Sequence, residues 1–535
     1  MNRLIKKRMP LAAVSLAAGL FIYNVQSFPA EAHTQNALPS QVHSEKASLP
    51  LGPSNLKEKR VTEGIAPGVT FTKITRGEPS AKDVYTVEAA FVDTEQEARN
   101  VVRKLKNDGF EDSKVVGAKR AMDDQTKGPL GFSVRTGSFP AEKEAKALQE
   151  RLSEKGYSGL RVVYTGEDGQ MTTGPWVVNI LEVHRNQFHG KVIPSLAQDQ
   201  VQGKETLTSM TSRHKAFAGL NGGYFVVNER DGTPGDPAGI TVINGQLVSE
   251  AINSRSSLIL SSAGKKADIA SVSTSMLVQS TDGTVREIDG VNRKPGLIRN
   301  CGGTGGDSPT EMSKHDFTCQ DESELIHFTP AFGESTESVD GFEVVLNQKG
   351  EVVETRNHPG GKIPGKGSVL AGTGEAGQWL RSHAKPGVKL RIQNKIMANG
   401  KPINMKTTMS MINGGPQLLK KGKISINAVE EGFHWEEKPD FYYRFGERRN
   451  PRTLAGIKEN GNLLFVTIDG RAPGWSVGAS FEESARIMKS LGAVEAINLD
   501  GGGSTSMTIG QALVTRPSDQ SGERPIADGI LLMNK

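Results

Sequence analysis

An internal duplication limits what the N-terminal half of the chain can form. Residues 85–110 (YTVEAAFVDTEQEARNVVRKLKNDGF) and residues 132–157 (FSVRTGSFPAEKEAKALQERLSEKGY) align at a constant offset of 47 residues. Each copy has the pattern of an alternating strand, an amphipathic helix, a terminating glycine and a second strand. Because a solenoid needs more copies, the two units predict one small split βαβ domain of the ferredoxin-like type over residues 85–165.

The first 32 residues predict a secretory signal. A basic start at residues 3–8 precedes an apolar run at residues 11–23 and the Ala-x-Ala pattern of Ala30 and Ala32. The apolar run is shorter than the ~20 residues of a membrane-spanning helix, so we expect cleavage after about Ala32, with a retained anchor as the alternative. The next segments are interpreted as a polar, flexible linker over residues 33–62 and a lead-in over residues 63–84.

Charge and cysteine content bear on the compartment and on the partners. The formal net charge is +5, but most of this excess lies in the predicted signal. The nearly neutral remainder gives no electrostatic reason to bind nucleic acid, and no later stretch is apolar enough to span a membrane. Cys301 and Cys319 are the two cysteines, and after export we expect them to form a disulfide. Two free thiols are the alternative if the chain is not exported.

A second strand–helix–strand pattern lies near the C-terminus. Residues 462–470 predict a strand, residues 480–492 predict a helix that begins with a capping box, and residues 493–503 predict another strand. The crossover makes the two strands parallel, so Asp469 and Asp500 should meet at one edge of the sheet. If the strands are neighbours, the carboxylates lie about 5–10 Å apart, a range that covers both retaining and inverting glycoside hydrolysis.

Glycine-rich turns recur after predicted strands. Asn221, Asn413, Asp469 and Asp500 are each followed by one to three glycines. A single turn of this kind is ordinarily structural. Several of them offer backbone N–H groups to an anion, however, and arginines lie in or near these segments. Because a guanidinium group binds phosphate in a bidentate manner, the pattern favours an oxyanion substrate.

The duplicated unit resembles the sporulation-related repeat (SPOR) domain. The resemblance implies binding to peptidoglycan glycan strands that lack stem peptides. The alternative is a ferredoxin-like accessory domain without a sugar ligand. No catalytic constellation is visible within residues 85–165, so targeting is the function that we expect of this domain.

The larger C-terminal part resembles the phosphodiester glycosidase family. The resemblance rests on six motifs in the order NGGYF (221–225), INGGPQLL (412–419), NPRTLAG (450–456), VTIDGR (466–471), NLDGGGST (498–505) and RPSDQSGERPIADGILL (516–532). It implies a mixed-sheet domain over residues 172–535 that cleaves the bond between a sugar's anomeric carbon and phosphate. Together with the repeat, this predicts a mixed α+β and α/β fold. Many relatives carry histidine before PRT, and Asn450 could not replace that residue as a proton carrier.

The resemblance also implies roles for individual residues. Asp469 and Asp500 would be acid/base or electrostatic carboxylates, and which of them faces the anomeric carbon stays open. The residues implied to bind phosphate or sugar hydroxyl groups are Asn221, Gly222, Gly223, Arg255, Asn413, Gly414, Gly415, Arg452, Thr453, Arg471, Gly501, Gly502, Ser504 and Thr505.

Cofactor signals are weak. A divalent cation such as calcium could bind the carboxylate-rich residues 229–236, although their spacing differs from that of an EF-hand. Six scattered histidines, His315 among them, show no metal-ligand spacing and are interpreted as structural or exposed. The glycine-rich residues 301–307 lack the lysine of a phosphate-binding P-loop, which favours a surface loop held by the disulfide.

These patterns predict a secreted hydrolase that cleaves sugar-1-phosphodiester linkages in cell-wall or extracellular glycoconjugates and is held at peptidoglycan by the repeat. A non-catalytic cell-wall protein that binds anionic glycans in the same cleft is the alternative. A glycosidase that acts on unphosphorylated sugars is a third hypothesis.

Overall fold

The structure is a computed structural model that describes residues 48–252, 255–301 and 313–535. The predicted signal, the linker up to residue 47 and the glycine-rich residues 302–307 lie outside the described residues. Within the described part of the chain, no helix has the length and apolar character needed to cross a membrane.

The duplicated segment forms the predicted split βαβ domain. Its elements are β3 (Tyr85–Val92), α1 (Glu95–Asn107), β4 (Ser113–Ala118), β5 (Gly131–Phe139), α2 (Glu142–Glu154) and β6 (Arg161–Tyr164), after β1 (Glu58–Ala66) and β2 (Val69–Arg76). The strand order β4-β5-β3-β6 is that of a ferredoxin-like sheet. The two helices cover one face, where Val87, Val134 and Leu152 form a core of their own. Both helices begin and end at the positions that the 47-residue offset predicts.

The segment before the repeat differs from the prediction. Residues 48–62 are not a free linker, since Leu49 and Leu51 are buried and β1 begins at Glu58. β1 pairs with β2, and β2 pairs with the first strand after the repeat. The main sheet of the C-terminal part therefore begins before the repeat, which is inserted between two of its strands.

The remaining elements follow in chain order. They are β7 (Trp176–Val183), β8 (Lys191–Leu196), α3 (Leu207–Arg213), β9 (Ala218–Asn221), β10 (Thr241–Ile243), β11 (Gln246–Ser249), β12 (Ser256–Ser261), β13 (Lys266–Ser280), β14 (Val285–Glu287), β15 (Gly290–Val291), β16 (Leu297–Arg299), β17 (Thr318–Gln320), β18 (Leu325–Phe328), β19 (Phe342–Asn347), β20 (Val352–Arg356), β21 (Gly367–Gly372), α4 (Gly374–His383), β22 (Leu390–Ala398), β23 (Lys401–Pro402), β24 (Met409–Asn413), β25 (Gln417–Lys420), β26 (Lys423–Ile424), α5 (Pro439–Tyr442), β27 (Arg452–Lys458), β28 (Leu463–Ile468), α6 (Phe481–Ser490), β29 (Ala493–Asn498), β30 (Met507–Ile509), β31 (Ala512–Leu513) and β32 (Asp528–Met533).

Eight of the described strands form the main sheet, in the order β1-β2-β7-β28-β27-β29-β25-β26. β27 is antiparallel to both β28 and β29, so β28 and β29 are parallel and end at the same edge, as predicted. They are not neighbours, however, because β27 lies between them. At about 4.8 Å per strand spacing, their backbones are about 10 Å apart.

Two layers pack against the main sheet. One face contacts α6, the segment around residues 418–445 and the inserted domain, and Trp176, Phe433 and Phe481 are buried there. The other face packs on the sheet β31-β30-β9-β32-β8 and on β12 and β24 through residues such as Leu220, Phe465 and Ile530. The ends of β9, β24 and β29 and the start of β27 meet at one corner between these layers, as the hydrogen bonds described below show.

The start of α6 offers a test of the fold. Ser480 accepts a hydrogen bond from the backbone of Glu483, and the Glu483 carboxylate accepts one from the backbone of Ser480, which completes the predicted capping box. We expect Ser480→Ala to lower the free energy of unfolding by about 1 kcal/mol in urea titrations. The control is Ser490→Ala at the exposed end of the same helix, with an expected change of less than about 0.5 kcal/mol. Equal losses in both variants would contradict the capping role.

Candidate active site

A cavity of about 210 Å³ lies at the corner where β9 and β29 end and β27 begins. Its wall combines the carboxylate of Asp500, just after β29, with the glycine-rich turn that follows, and it also includes the carboxylate of Asp316. Four arginines also line it, namely Arg299, Arg452, Arg471 and Arg524. The aromatic part of the wall contains Tyr224, His315, Phe441 and Phe445.

Asp500 is held by its own turn. The backbone N–H of Gly501 donates to the Asp500 carboxylate at 2.8 Å, and the Ser504 side chain donates a second hydrogen bond. Burial raises the pKa of Asp500 to about 6, against the opposing effects of these hydrogen bonds and of the charge on Arg524. The carboxylate is therefore ionised at neutral pH but lies close to its titration.

The NGG turn after β9 supports the Asp500 loop rather than facing the cavity. Asn221 Nδ2 donates to the carbonyl of Asp500 at 2.7 Å, and Asn221 Oδ1 accepts from Thr453 Oγ1 at 2.6 Å. The Gly222 carbonyl accepts from the N–H of Asp500 at 3.1 Å. Gly223 donates to Asp528 Oδ1 at 2.8 Å. Asn221, Gly222, Gly223 and Thr453, predicted to bind substrate, are thus positioning residues in the structure.

The INGG turn after β24 also makes its hydrogen bonds within the protein. Asn413 exchanges two hydrogen bonds with the backbone of Tyr224, at 2.9 and 3.2 Å. Gly414 packs against the carbonyl of Asn498, and a Cβ there would lie 2.7 Å from that oxygen. The Gly415 carbonyl accepts from the Tyr224 hydroxyl at 2.8 Å. Asn413, Gly414 and Gly415 therefore fix Tyr224, which does line the cavity.

Asp469 does not line the cavity that contains Asp500. Its carboxylate accepts from Trp475 Nε1 at 2.8 Å, and Lys73 and Arg516 lie over the ring of Trp475. Burial raises the pKa of Asp469 to about 6. The predicted pairing of Asp469 with Asp500 across neighbouring strands is wrong, because the hairpin strand β27 separates them.

The three predicted arginines occupy different places. Arg471 lines the cavity, and its Nε and Nη2 donate to Asn450 Oδ1 at 3.1 and 2.8 Å. Arg452 also lines it but is fully buried, with Nε bonded to the Ala479 carbonyl. Arg255 lies outside the cavity wall, above the ring of Phe433 at 4.6 Å. No carboxylate among the described residues is within ion-pair distance of any of these three guanidinium groups.

The glycines after Asp500 allow guanidinium groups to approach the backbone. A Cβ at Gly502, where φ is +59°, would lie 3.3 Å from the Arg471 guanidinium, and one at Gly503 would lie 2.1 Å from that of Arg524. Arg524 is in turn fixed by two hydrogen bonds to Asp519. Thr505 is buried beside this turn, and its hydroxyl has no partner within the described ranges. The turn thus combines backbone and arginine donors in one wall.

Asn450 links two parts of the cavity wall. Its amide nitrogen donates to the carbonyls of Arg444 and Arg448, while its amide oxygen accepts from Arg471. The amide nitrogen therefore fixes the π-helical turn Tyr443–Glu447, and the amide oxygen fixes Arg471. Asn450 orients a cation rather than carrying a proton.

Sequence reasoning missed several members of the wall. His315, interpreted as structural or exposed, is buried against Tyr224, Phe433 and Phe445, and burial holds its pKa well below the ordinary value. Nothing in its sequence surroundings indicates this place. Arg524 lies within the quoted motif at residues 516–532, so its position in that motif was an available signal.

The cysteines and the metal prediction can also be placed. Cys301 and Cys319 form the predicted disulfide, with a Cα–Cα distance of 5.8 Å. In the predicted calcium segment, Asp231 pairs with Arg299. No group of three or more His, Cys, Asp or Glu side chains is arranged for a metal ion in the ranges that the structure describes. Calcium binding stays a prediction.

Comparisons with known proteins identify two families along the chain. The family model "Phosphodiester glycosidase" matches residues 340–533, and the model "SPOR domain" matches residues 81–162. The first match includes Arg452, Arg471, Asp500 and Arg524 but not Asn221. An N-acetylglucosamine-1-phosphodiester alpha-N-acetylglucosaminidase of Bos taurus is 30% identical over 112 residues, which are 21% of this chain and 21% of that protein. The chain thus matches about a fifth of the length of this relative.

Solved structures extend the likeness to both domains. A putative exported protein from Burkholderia pseudomallei is 30% identical with a TM-score of 0.83, over 92% of this chain and 100% of that one. A hypothetical protein from Synechocystis has a TM-score of 0.53 at 17% identity, over 90% of this chain and 82% of that one, and is similar in fold alone. Residues 340–533 thus match the phosphodiester glycosidase family and residues 81–162 match the SPOR domain, which confirms both resemblances seen in the sequence.

Proposed function

We propose that the protein is a secreted hydrolase that cleaves the bond between the anomeric carbon of a sugar and the oxygen of a phosphodiester. The observation that carries this proposal is the pair Arg452 and Arg471. Both guanidinium groups line the cavity of Asp500, and neither has a carboxylate partner among the described residues. Cations without a directly paired carboxylate, beside the ionised Asp500, suit a substrate that is anionic on one side and becomes cationic on the other.

The reaction follows from this division of charge. Water adds to the anomeric carbon as its bond to the phosphodiester oxygen breaks, giving free sugar and a phosphomonoester. Ionised Asp500 stabilises the positive charge that develops at the anomeric carbon and accepts a proton from the attacking water. Arg471 binds the departing phosphate, and the charge of Arg452 adds to its stabilisation. Because phosphate leaves as an anion, this reaction needs less help from a general acid than hydrolysis of an ordinary glycoside.

The SPOR domain supports a location at the cell wall. In this proposal it binds peptidoglycan glycan strands, and the substrate is a glycoconjugate of the wall or the extracellular space. Deletion of residues 85–165 is an unsuitable test, since Phe91, Tyr85 and Tyr164 pack on the core of the glycosidase domain. Sedimentation of the intact protein with purified peptidoglycan tests the location directly, and recovery in the supernatant would contradict it.

Activity is tested with a matched pair of substrates. We expect the purified protein to release N-acetylglucosamine from its anomeric methyl phosphodiester, followed by NMR, and to leave the methyl glycoside without phosphate intact. Cleavage of both substrates would favour a glycosidase for unphosphorylated sugars. Binding without cleavage across a panel of sugar-1-phosphodiesters would favour the non-catalytic alternative, which arginines without an ion pair also suit.

A further inference from the structure

The open face of the SPOR sheet is not free in this protein. Four side chains on β3 and β5 alternate along the strands with those of the domain core, so they point away from the two helices. They belong to Thr86, Glu88, Ser133 and Arg135, and each is at most 2% exposed. The glycosidase domain covers them. Arg135 pairs with Asp168 and also contacts the Tyr443 hydroxyl.

Further contacts fix the two domains to each other. Phe91 stacks on Tyr443 with a centroid distance of 5.1 Å. The backbone N–H of Lys119 donates to the Glu447 carboxylate at 2.7 Å, and Asp123 accepts from the N–H of Val429 at 2.8 Å. Polar and aromatic contacts spread over this surface describe a fixed domain interface rather than a flexible tether.

A cleft of about 650 Å³ opens along this interface. Tyr85, Glu142 and Arg161 of the SPOR domain form one side, and Lys438 and Arg444 lie on the other. The cleft is contiguous with the Asp500 cavity, because both are lined by Asp316, Phe441, Phe445, Asn450 and Arg471. The cavity alone, at about 210 Å³, is smaller than the roughly 300–1,000 Å³ of most small-molecule sites. The cleft adds the volume that a substrate of ordinary size needs.

The position of Arg471 gives the two spaces different occupants. Arg471 borders both, so a phosphate bound to it lies at their junction. Asp500 lies only in the cavity, which therefore holds the sugar whose anomeric carbon reacts. Whatever is attached to the other side of the phosphate extends from Arg471 into the cleft.

The lining of the cleft suits a sugar chain. Phe441 and Phe445 are half-buried and stack on each other with a centroid distance of 5.3 Å, so they offer apolar ring surface at the junction. Arg444 is paired with Glu88 and Asp440. Arg161 is exposed at the start of β6, and its guanidinium group forms no ion pair or hydrogen bond with any residue that the structure describes. Its N–H groups can therefore donate hydrogen bonds to a ligand in this polar and aromatic cleft.

We propose that the interdomain cleft binds the leaving-group side of a polymeric substrate, a glycan chain joined through anomeric phosphodiesters, with Arg161 as a specificity-determining residue supplied by the SPOR domain. This inference rests on the proposed function. It makes the SPOR domain a wall of the substrate site, and it predicts that chain length rather than the reacting sugar distinguishes the substrate.

The test compares two substrates in two variants. Arg161→Ala should raise KM for an oligomer of sugar-1-phosphodiesters about tenfold and leave kcat/KM for the methyl phosphodiester unchanged. The matched control is Arg103→Ala, an exposed arginine on the helix side of the same domain, which should change neither value. An equal effect of Arg161→Ala on both substrates, or no effect on the oligomer, would overturn the proposal.

A binding measurement separates this inference from the proposed function. The same oligomer is titrated by calorimetry into Asp500→Asn and into the double variant Asp500→Asn/Arg161→Ala. We expect about tenfold weaker binding to the double variant, whether or not the wild-type protein hydrolyses the oligomer. Absence of hydrolysis by the wild-type protein would refute the proposed function, while equal binding to the two variants would refute the cleft.

Discussion

Asp500→Asn is expected to lower kcat for the sugar phosphodiester by about 10³-fold with little change in KM, because an amide neither accepts the proton of water nor balances a developing positive charge. The substitution preserves the shape of the side chain and its hydrogen bond from Gly501. Single-turnover kinetics with product analysis by NMR measures the loss.

Asp469→Asn is the matched control. Asp469 also ends a strand before glycine, and burial likewise raises its pKa to about 6, yet it lies outside the cavity. We expect a loss of less than about tenfold, transmitted through Trp475 and the loop that it supports. A large loss in Asp469→Asn together with a small one in Asp500→Asn would reverse the assignment.

The pH dependence of both activity and stability should report the same group. Since the ionised form of Asp500 is the active one, kcat/KM should rise with pH and level off above about pH 6, where the carboxylate titrates. Burial raises the pKa of Asp500 from 3.8 to about 6, so its ionisation opposes folding. The wild-type protein therefore loses stability relative to Asp500→Asn as the pH rises from about 4 to about 6.

The stability measurement gives a second readout of Asp500→Asn. A shift of about two pKa units, reduced because the side chain is partly accessible, corresponds to roughly 2 kcal/mol. Above pH 6 the variant should be more stable than the wild-type protein by that amount in urea titrations, and at pH 4 the two should be similar. A variant that is less stable at both pH values would contradict an unfavourably buried carboxylate.

Local sequence signals predicted local structure well. The 47-residue offset located both helices of the SPOR domain, and the capping box at Ser480 located the start of α6. These features depend on residues within one turn or one strand of each other. The parallel relation of β28 and β29 was also predictable, because a helix of ten residues returns the chain in the same direction.

The pairing of strands that are distant in sequence could not be predicted in the same way. β27 and β28 form a hairpin, and β29 then pairs with the far side of β27, which places a strand between Asp469 and Asp500. Likewise, β1 and β2 join the main sheet from the other side of an inserted domain. The choice of strand neighbour depends on packing across the whole core, and no local pattern encodes it.

The candidate site shows a similar division. The motifs lie together at one corner of the fold, since Asn221, Asn413 and Asp500 meet there. They did not separate residues that can face a substrate from residues that hold the loops. That distinction depends on which hydrogen-bonding groups are already satisfied within the protein, as those of Asn221 are and those of Arg471 are only in part.

Arg471→Ala is expected to lower kcat/KM for sugar phosphodiesters by about 10²- to 10³-fold, with most of the loss in kcat, because the charge on the phosphate increases as it leaves. Arg471→Lys should recover only part of this loss. Lysine keeps the charge but cannot donate to Asn450 and to phosphate with the fixed geometry of a guanidinium group. Steady-state kinetics on the anomeric methyl phosphodiester measures both variants.

The comparison that isolates phosphate recognition uses Arg299→Ala as control. Arg299 lines the same cavity, but its guanidinium is paired with Asp231 and Asp316, so the protein itself compensates its charge. We expect less than a tenfold effect there, and added inorganic phosphate should inhibit the wild-type protein and Arg299→Ala at similar concentrations while inhibiting Arg471→Ala far more weakly. If phosphate inhibits Arg471→Ala as strongly as the wild-type protein, Arg471 does not hold the leaving group, and the charge at this corner must act through Arg452 or Arg524 instead.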